Sequence, residues 1–255
     1  MEKIGLAITT FNSESYFDDL YKTIPFDKLD EIVVVNGGQP YNKKYEGVTW
    51  IQHDQVKYPS VARNDGLKFL LEKNIQHFFI CEDDMLIKNS DIFNLYIDAY
   101  KHTGIPYYIY SSVAWESGQK GQRTPKIQVE YPDNTVIKFN ANMCNEFTYK
   151  NVKLIQDVGL YDENFKYTFD VDYAYRVSKR TGIPFWYFPD MPNSDDLIDN
   201  NSNAVSRLDS DGLRITRLGP DYDYFAKKHG INIQTIPSLQ RDILIENLKI
   251  IKSNV

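Results

Sequence analysis

Cysteine is almost absent from this chain of 255 residues, which has only Cys81 and Cys144. Two thiols cannot build a disulfide framework, so a small cross-linked secreted scaffold is excluded and a reducing, cytoplasmic compartment is expected. Positive charge is also in deficit, with 29 Lys and Arg against 35 Asp and Glu and a net charge of -6. That balance argues against a broad polyanion-binding surface and makes nucleic acid a minority reading. No apolar run approaches the length of a membrane span. Met1 to Ile4 lead into a short apolar segment without a small-residue cleavage site, so a soluble protein is expected. Internal repeats and low-complexity tracts are missing as well.

What remains is the composition of an ordinary folded protein, 42% apolar and 25% charged, with 14% aromatic residues including 19 Tyr. The length allows a large core in one domain or two closely joined lobes. The stretch His77-Phe78-Phe79-Ile80-Cys81-Glu82-Asp83-Asp84 organises the rest, because an apolar run ends abruptly in three acids. It reads as a buried strand delivering carboxylates to its C-terminal edge, where ligands of parallel sheets bind. Three like charges repel in a partly buried cleft, and a divalent cation would satisfy them. A solvated acidic turn is the alternative for the triplet taken alone.

Strand and helix alternate up to that point. Lys3 to Thr9 is an expected strand, Glu14 to Thr23 a helix, Glu31 to Val35 a strand ending in Asn36-Gly37-Gly38, and Val48 to His53 a weaker strand. Ser60 to Lys73 reads as a helix burying Val61, Leu67, Leu70 and Leu71. This order predicts βαβ units, an α/β fold and a mainly parallel sheet flanked by helices. Beyond it, Ser90 to His102 is an expected helix and Tyr107 to Ser112 a strand. Ile127 to Tyr131 and Thr135 to Phe139 form an expected hairpin. Asn151 to Val158 and Val171 to Thr181 read as helices, and Pro184 to Phe188 as an aromatic strand. The polar stretches Glu116 to Pro125 and Met191 to Asp211 read as loops or lids. Tyr222 to His229 and Ser238 to Lys252 close the chain as helices, the last with Leu239, Ile243, Leu248 and Ile251 inward.

Six stretches then stand in one order: Ile8-Thr9-Thr10-Phe11-Asn12, Glu31 to Gly38, Ala62-Arg63-Asn64-Asp65-Gly66-Leu67, Glu82-Asp83-Asp84, Gly159 to Phe165, and Phe169-Asp170-Val171-Asp172-Tyr173-Ala174-Tyr175-Arg176. Over roughly residues 3 to 190 they resemble the GT-A glycosyltransferases, and among them family 2 of the nucleotide-sugar enzymes. The resemblance implies a Rossmann-like GT-A domain, with residues 1-112 binding a nucleotide sugar and 113-255 forming an acceptor-side part with C-terminal helices. It implies that Asp84, with Glu82, holds Mn²⁺ or Mg²⁺, and that Glu82 and Asp83 also meet the nucleotide. Thr9, Phe11 and Asn36 match the base pocket, where an amide oxygen of Asn36 can accept from a uracil ring NH. Arg63 matches a cation near the diphosphate. Asp170 matches the general base of an inverting transfer and Asp172 a supporting acid, although either could merely cap the following helix.

The chain departs from the family pattern at Glu82, where Asp is usual, at Asn36, also usually Asp, and at Phe169, where an acid is common. Many metal-dependent members of the family contribute a further histidine ligand from the C-terminal part; His229 is the candidate here but reads as a helix-end cap outside the metal site, and His53, His77 and His102 read as structural. The implied activity is transfer from a UDP-sugar to the hydroxyl of a glycan, a protein or, less in keeping with the charge, a hydroxylated DNA base. For DNA the basic clusters Lys120, Arg123, Lys126 and Arg207, Arg214, Arg217 would meet phosphates. A nucleotidyltransferase and a noncatalytic nucleotide- or sugar-binding module are the rival readings. The first is disfavoured because Thr9-Thr10-Phe11-Asn12 is not a Gly-rich basic phosphate loop.

Overall fold

The computed structural model describes residues 2-110, 127-140, 146-200, 213-236 and 241-253. The first apolar run is strand β1 (Ile4–Thr10), followed by α1 (Glu14–Tyr21), β2 (Glu31–Asn36), β3 (Thr49–Gln52), α2 (Pro59–Glu72) and β4 (His77–Glu82). The four strands lie parallel in the order β3-β2-β1-β4, with Ala7 opposite Val33 on one side and Ile80 on the other. Both faces of this sheet are covered, which is why Leu6 to Ile8, Val33 to Val35 and Phe78 to Cys81 are fully buried apolar runs.

Helix α2 packs on β1 and β2 and buries Ala62, Gly66, Leu67 and Leu70. Val61 and Leu71, expected on that face, are only half-buried. Gly66 lets the helix come close: a Cβ there would lie 2.9 Å from that of Ala7.

After the turn at Asp83-Asp84 come β5 (Met85–Ile87), α3 (Asp91–Thr103), β6 (Tyr107–Ile109) and the expected hairpin, β7 (Ile127–Glu130) with β8 (Val136–Asn140). Strand β9 (Phe147–Asn151) then inserts antiparallel between β4 and β6, completing the order β3-β2-β1-β4-β9-β6. It belongs to the part after residue 112, so the central sheet draws on both parts of the chain. β9 escapes a hydropathy reading because three of its five residues, Thr148, Lys150 and Asn151, are polar and yet buried.

Helices α4 (Val152–Val158) and α5 (Phe169–Thr181) follow, then β10 (Phe188–Asp190) beside β8. The strand expected at Pro184 to Phe188 is therefore displaced. Tyr187 N–H donates to Pro184 O, and Trp186 adopts φ +73°, which turns the chain instead of extending it. The expected loop from Met191 is structured in its first half, as α6 (Ser194–Leu197) and β11 (Ile198–Asn200), the latter paired with β5.

Helix α7 (Leu213–His229) begins nine residues before the expected start at Tyr222 and runs through Pro220. Helix α8 (Arg241–Ser253) buries Leu244 and Leu248, while Ile243 is exposed and Ile251 half-buried. The expected lid Glu116 to Pro125 lies outside the described residues, as do Asn201 to Asp211, Leu239, Lys120, Arg123, Lys126 and Arg207.

Candidate active site

A cleft of about 520 Å³ opens at the C-terminal ends of β1, β2 and β4. Thr9, Thr10, Phe11, Gly37, Glu82, Asp83 and Asp84 line its floor, and Val56, Lys57, Tyr58 and Tyr167 form its far lip. A roomier hollow of about 690 Å³ among α3, α4, α5 and α8 contains none of the predicted site residues. The acids lie in the first cleft, where a parallel sheet places ligands.

The three carboxylates are placed differently. Asp83 accepts from the Thr10 hydroxyl; burial raises it to about 6, with hydrogen bonds from Thr10 and Ser13 opposing. Glu82 is salt-bridged to Arg63 Nη2; burial raises it to about 7 even though Arg63 pulls the other way, and Glu146 and Asp83 add repulsion. Asp84 is raised to about 8, by burial first and then by Glu82, Glu146 and Asp83. Its Oδ1 is buried without a hydrogen-bond partner.

A cation beside Asp84 would supply the missing partner and remove the repulsion, so the donor set fits a hard divalent ion. Glu82 is turned toward Arg63, which leaves Asp84 as the better-placed ligand. Among the described residues, no group of three or more His, Cys, Asp or Glu side chains has metal-binding geometry. Glu146 was not legible as a site residue. It is 5% exposed, its backbone O accepts from Glu82 N–H at 2.8 Å, and its carboxylate accepts from Asn200 Nδ2 at 2.6 Å.

Thr9 and Phe11 line the cleft, and Phe11 is 48% exposed. Asn36 does not line it. Its Oδ1 accepts from Gly38 N–H at 2.9 Å, and its Nδ2 donates to Gln39 O at 2.8 Å and Gln52 Oε1 at 3.0 Å. The amide builds the turn that presents Gly37. Arg63 is likewise buried, 1% exposed, with its guanidinium 5.0 Å from the Phe169 ring. It lies between Glu82 and the second acidic cluster, attracted to Asp170 on that side.

That second cluster is tied to α2. Asn64 Nδ2 donates to Tyr161 O and Asn64 Oδ1 accepts from Tyr161 N–H, both at 2.9 Å. Asp221 on α7 accepts from the backbone N–H groups of Lys166, Tyr167 and Thr168, which fixes the turn entering α5. Asp170 stands half-buried in the first turn of α5 and accepts from Val171 N–H at 2.8 Å. Asp172 is fully buried, held by Arg176 Nε at 2.9 Å, Lys228 Nζ at 2.7 Å and His229 Nε2 at 2.8 Å. The two acids of Asp-Val-Asp thus differ: Asp170 faces Arg63, and Asp172 anchors α7 to α5. His229 is spent on that anchor.

Solved glycosyltransferase structures share this fold. A mannosyltransferase from Pyrobaculum calidifontis, PcManGT, in complex with GDP-Man and Mn²⁺, matches 96% of this chain and 69% of its own at TM-score 0.57 and 15% identity. The fold is GT-A. S. aureus TarS matches 69% of the chain at TM-score 0.51 and 16% identity, and TarS 1-349 in complex with UDP matches 67% at TM-score 0.51 and 17% identity. The chain spans 33% of the length of TarS and 53% of that of TarS 1-349. No family model and no curated protein matches the sequence. In this GT-A chain no helix among the described residues is long and apolar enough to cross a membrane.

Proposed function

We propose that this chain is a divalent-cation-dependent glycosyltransferase that moves a sugar from a nucleoside diphosphate sugar, a UDP-sugar in our reading, to an acceptor hydroxyl with inversion. The observation that carries it is Asp84: a buried carboxylate with an unpartnered oxygen, crowded by other acids, on the floor of the GT-A cleft. Asp84 and Glu82 would hold Mn²⁺ or Mg²⁺, which when bound supplies Lewis-acid neutralisation of the departing diphosphate. The UDP complex of TarS 1-349 and the GDP-Man complex of PcManGT support a nucleoside diphosphate donor.

The chain's own residues divide the remaining work. Phe11, exposed at the cleft, offers a ring face to the nucleobase, while Asn36 shapes the Gly37 turn beside it. Asp83, anchored by Thr10, faces the ribose. Asp170 takes the proton of the acceptor hydroxyl as the new glycosidic bond forms on the opposite side of the sugar from the leaving group. Asp172 keeps α5 and α7 together, so Asp170 alone carries the proton transfer. The acceptor reading we adopt is a glycan hydroxyl.

Nucleotide release and transfer from UDP-glucose, UDP-GlcNAc and GDP-mannose with Mn²⁺ test this reading. Asp170→Asn should lower turnover by about two to four orders of magnitude, with donor affinity near wild type and an inverted anomer in the wild-type product. Normal turnover by Asp170→Asn, or a product of retained configuration, contradicts the mechanism.

A further inference from the structure

Beneath the cleft lies a second charged cluster that neither cation binding nor proton transfer requires. Lys150, in the middle of β9, is 4% exposed. Among the described residues its hydrogen-bond partners are Thr148 Oγ1 at 3.1 Å and the Tyr161 hydroxyl at 3.0 Å, with no carboxylate. Its ammonium also sits 5.3 Å from the Tyr161 ring and 5.0 Å from the Tyr173 ring. Burying an ammonium without a counter-ion is costly, and a sheet position offers cheaper residues.

Lys150 Nζ donates to the Tyr161 oxygen, and the Arg63 guanidinium lies 5.9 Å from the centre of the same ring, where it acts on the phenol as a second cation. Burial favours the neutral phenol, but Lys150 and Arg63 outweigh it and lower its pKa; burial likewise lowers that of Lys150. Arg63 in turn faces Asp170 and grips Glu82. The charged and titratable groups around Tyr161 are Arg63 from α2, with Glu82 of β4 behind it, Lys150 and Tyr149 from β9, Tyr107 from β6, and Asp170 and Tyr173 from α5. Arg176 lies beyond Tyr173, 5.0 Å from its ring.

We propose that Tyr161 and Lys150 are positioning residues that act through Arg63: the phenol oxygen, shared by the buried ammonium and the guanidinium, fixes the guanidinium so that it holds the Asp170 carboxylate in place. This inference rests on the reading of Asp170 as the base. It explains why a lysine is buried without a carboxylate. Lys150 and Arg63 both turn donors toward the phenol oxygen, which ties the guanidinium to one place against the ring, and a guanidinium held there favours the ionised form of Asp170. Asn64 reinforces the device by clamping the Tyr161 backbone to the same turn of α2 that carries Arg63.

The test needs no substrate. The carboxyl titration of Asp170 is followed by ¹³C NMR, with its signal assigned by its loss in Asp170→Asn, and Asp190 serves as a distant reference. In Tyr161→Phe, which keeps the ring and deletes the oxygen, the Asp170 midpoint should rise by about one unit while that of Asp190 stays put. Tyr161→Phe leaves Lys150 buried without its main partner, so Tyr161→Phe/Lys150→Met, which removes both polar ends together, is the second variant; it should show the same rise. An Asp170 midpoint within about 0.2 units of wild type in the folded double variant overturns the proposal.

A kinetic arm separates this inference from the function it rests on. With UDP-glucose, UDP-GlcNAc and GDP-mannose as donors and Mn²⁺ present, the double variant should lose about tenfold in kcat with donor KM within about twofold. If the midpoint moves but the wild-type protein releases nucleotide from none of the three donors, the positioning network stands and the transferase reading falls. If kcat and KM change together with no shift of the Asp170 midpoint, the cluster only stabilises the fold.

Discussion

At the scale of single residues, Asp84 and Asp172 make opposite use of burial. The Asp84 carboxyl is raised to about 8 in the folded chain, above its ordinary value near 3.9 when unfolded. The folded state therefore holds the extra proton. The full stability is present below about pH 4 and is lost as pH rises through 8. Asp84→Asn should consequently raise the melting midpoint of the cation-free protein at pH 8 by a few degrees, about 2–4 °C per kcal/mol for a chain of this size. It should do nothing at pH 4, which differential scanning fluorimetry at the two values checks. Asp172 is the reverse, a fully buried acid with three cationic or histidine partners. Asp172→Asn strands them and should cost about 2–3 kcal/mol, the figure for a buried pair reduced because Lys228 and Arg176 are partly exposed. Chemical denaturation measures that loss. From the sequence both acids of Asp-Val-Asp looked like site residues. What could not be read was which one the tertiary fold would turn toward α7, because Lys228 and His229 lie more than fifty residues away.

At the scale of elements, legibility followed apolar patterning. β1, β2, β4 and the hairpin β7–β8 were readable because their inward residues are Ile, Val, Leu and Phe. β9 was not, because Lys150 and Thr148 are buried for their polar contacts, and β11 is too short to show a period. The turn before α5 was visible as an acidic stretch, but its anchor was not. Asp221 follows a proline just before the expected helix at Tyr222, and only the folded chain brings it to the N–H groups of residues 166–168. Removing that acceptor leaves the buried Thr168 N–H and two part-buried donors unsatisfied. Asp221→Ala should cost about 2 kcal/mol and speed amide hydrogen exchange at Lys166 to Thr168, while exchange in β1 and β4 stays slow. Equal exchange in wild type and variant would show that α7 does not hold the turn.

At the scale of the whole molecule, the parallel sheet was expected from the alternation of strand and helix, and the cleft from an apolar strand that ends in acids. The placement of Asn36 and Arg63 was not. Both were expected to touch the nucleotide, yet each is spent inside the protein, one on a turn and the other on Glu82 and the second acidic cluster. Sequence motifs name residue types at positions, whereas whether a side chain faces ligand or neighbour depends on competing partners within the fold.

In the proposed function, Asp84 couples cation and nucleotide binding in one cleft. It is tested by calorimetric titration of UDP into the wild-type protein and into Asp84→Ala, each with and without Mn²⁺. We predict that Mn²⁺ tightens UDP binding to the wild-type protein by at least about tenfold, or 1.4 kcal/mol of coupling, and leaves Asp84→Ala unaffected. Equal tightening by Mn²⁺ in Asp84→Ala, or UDP binding to the wild-type protein that ignores Mn²⁺, would contradict it.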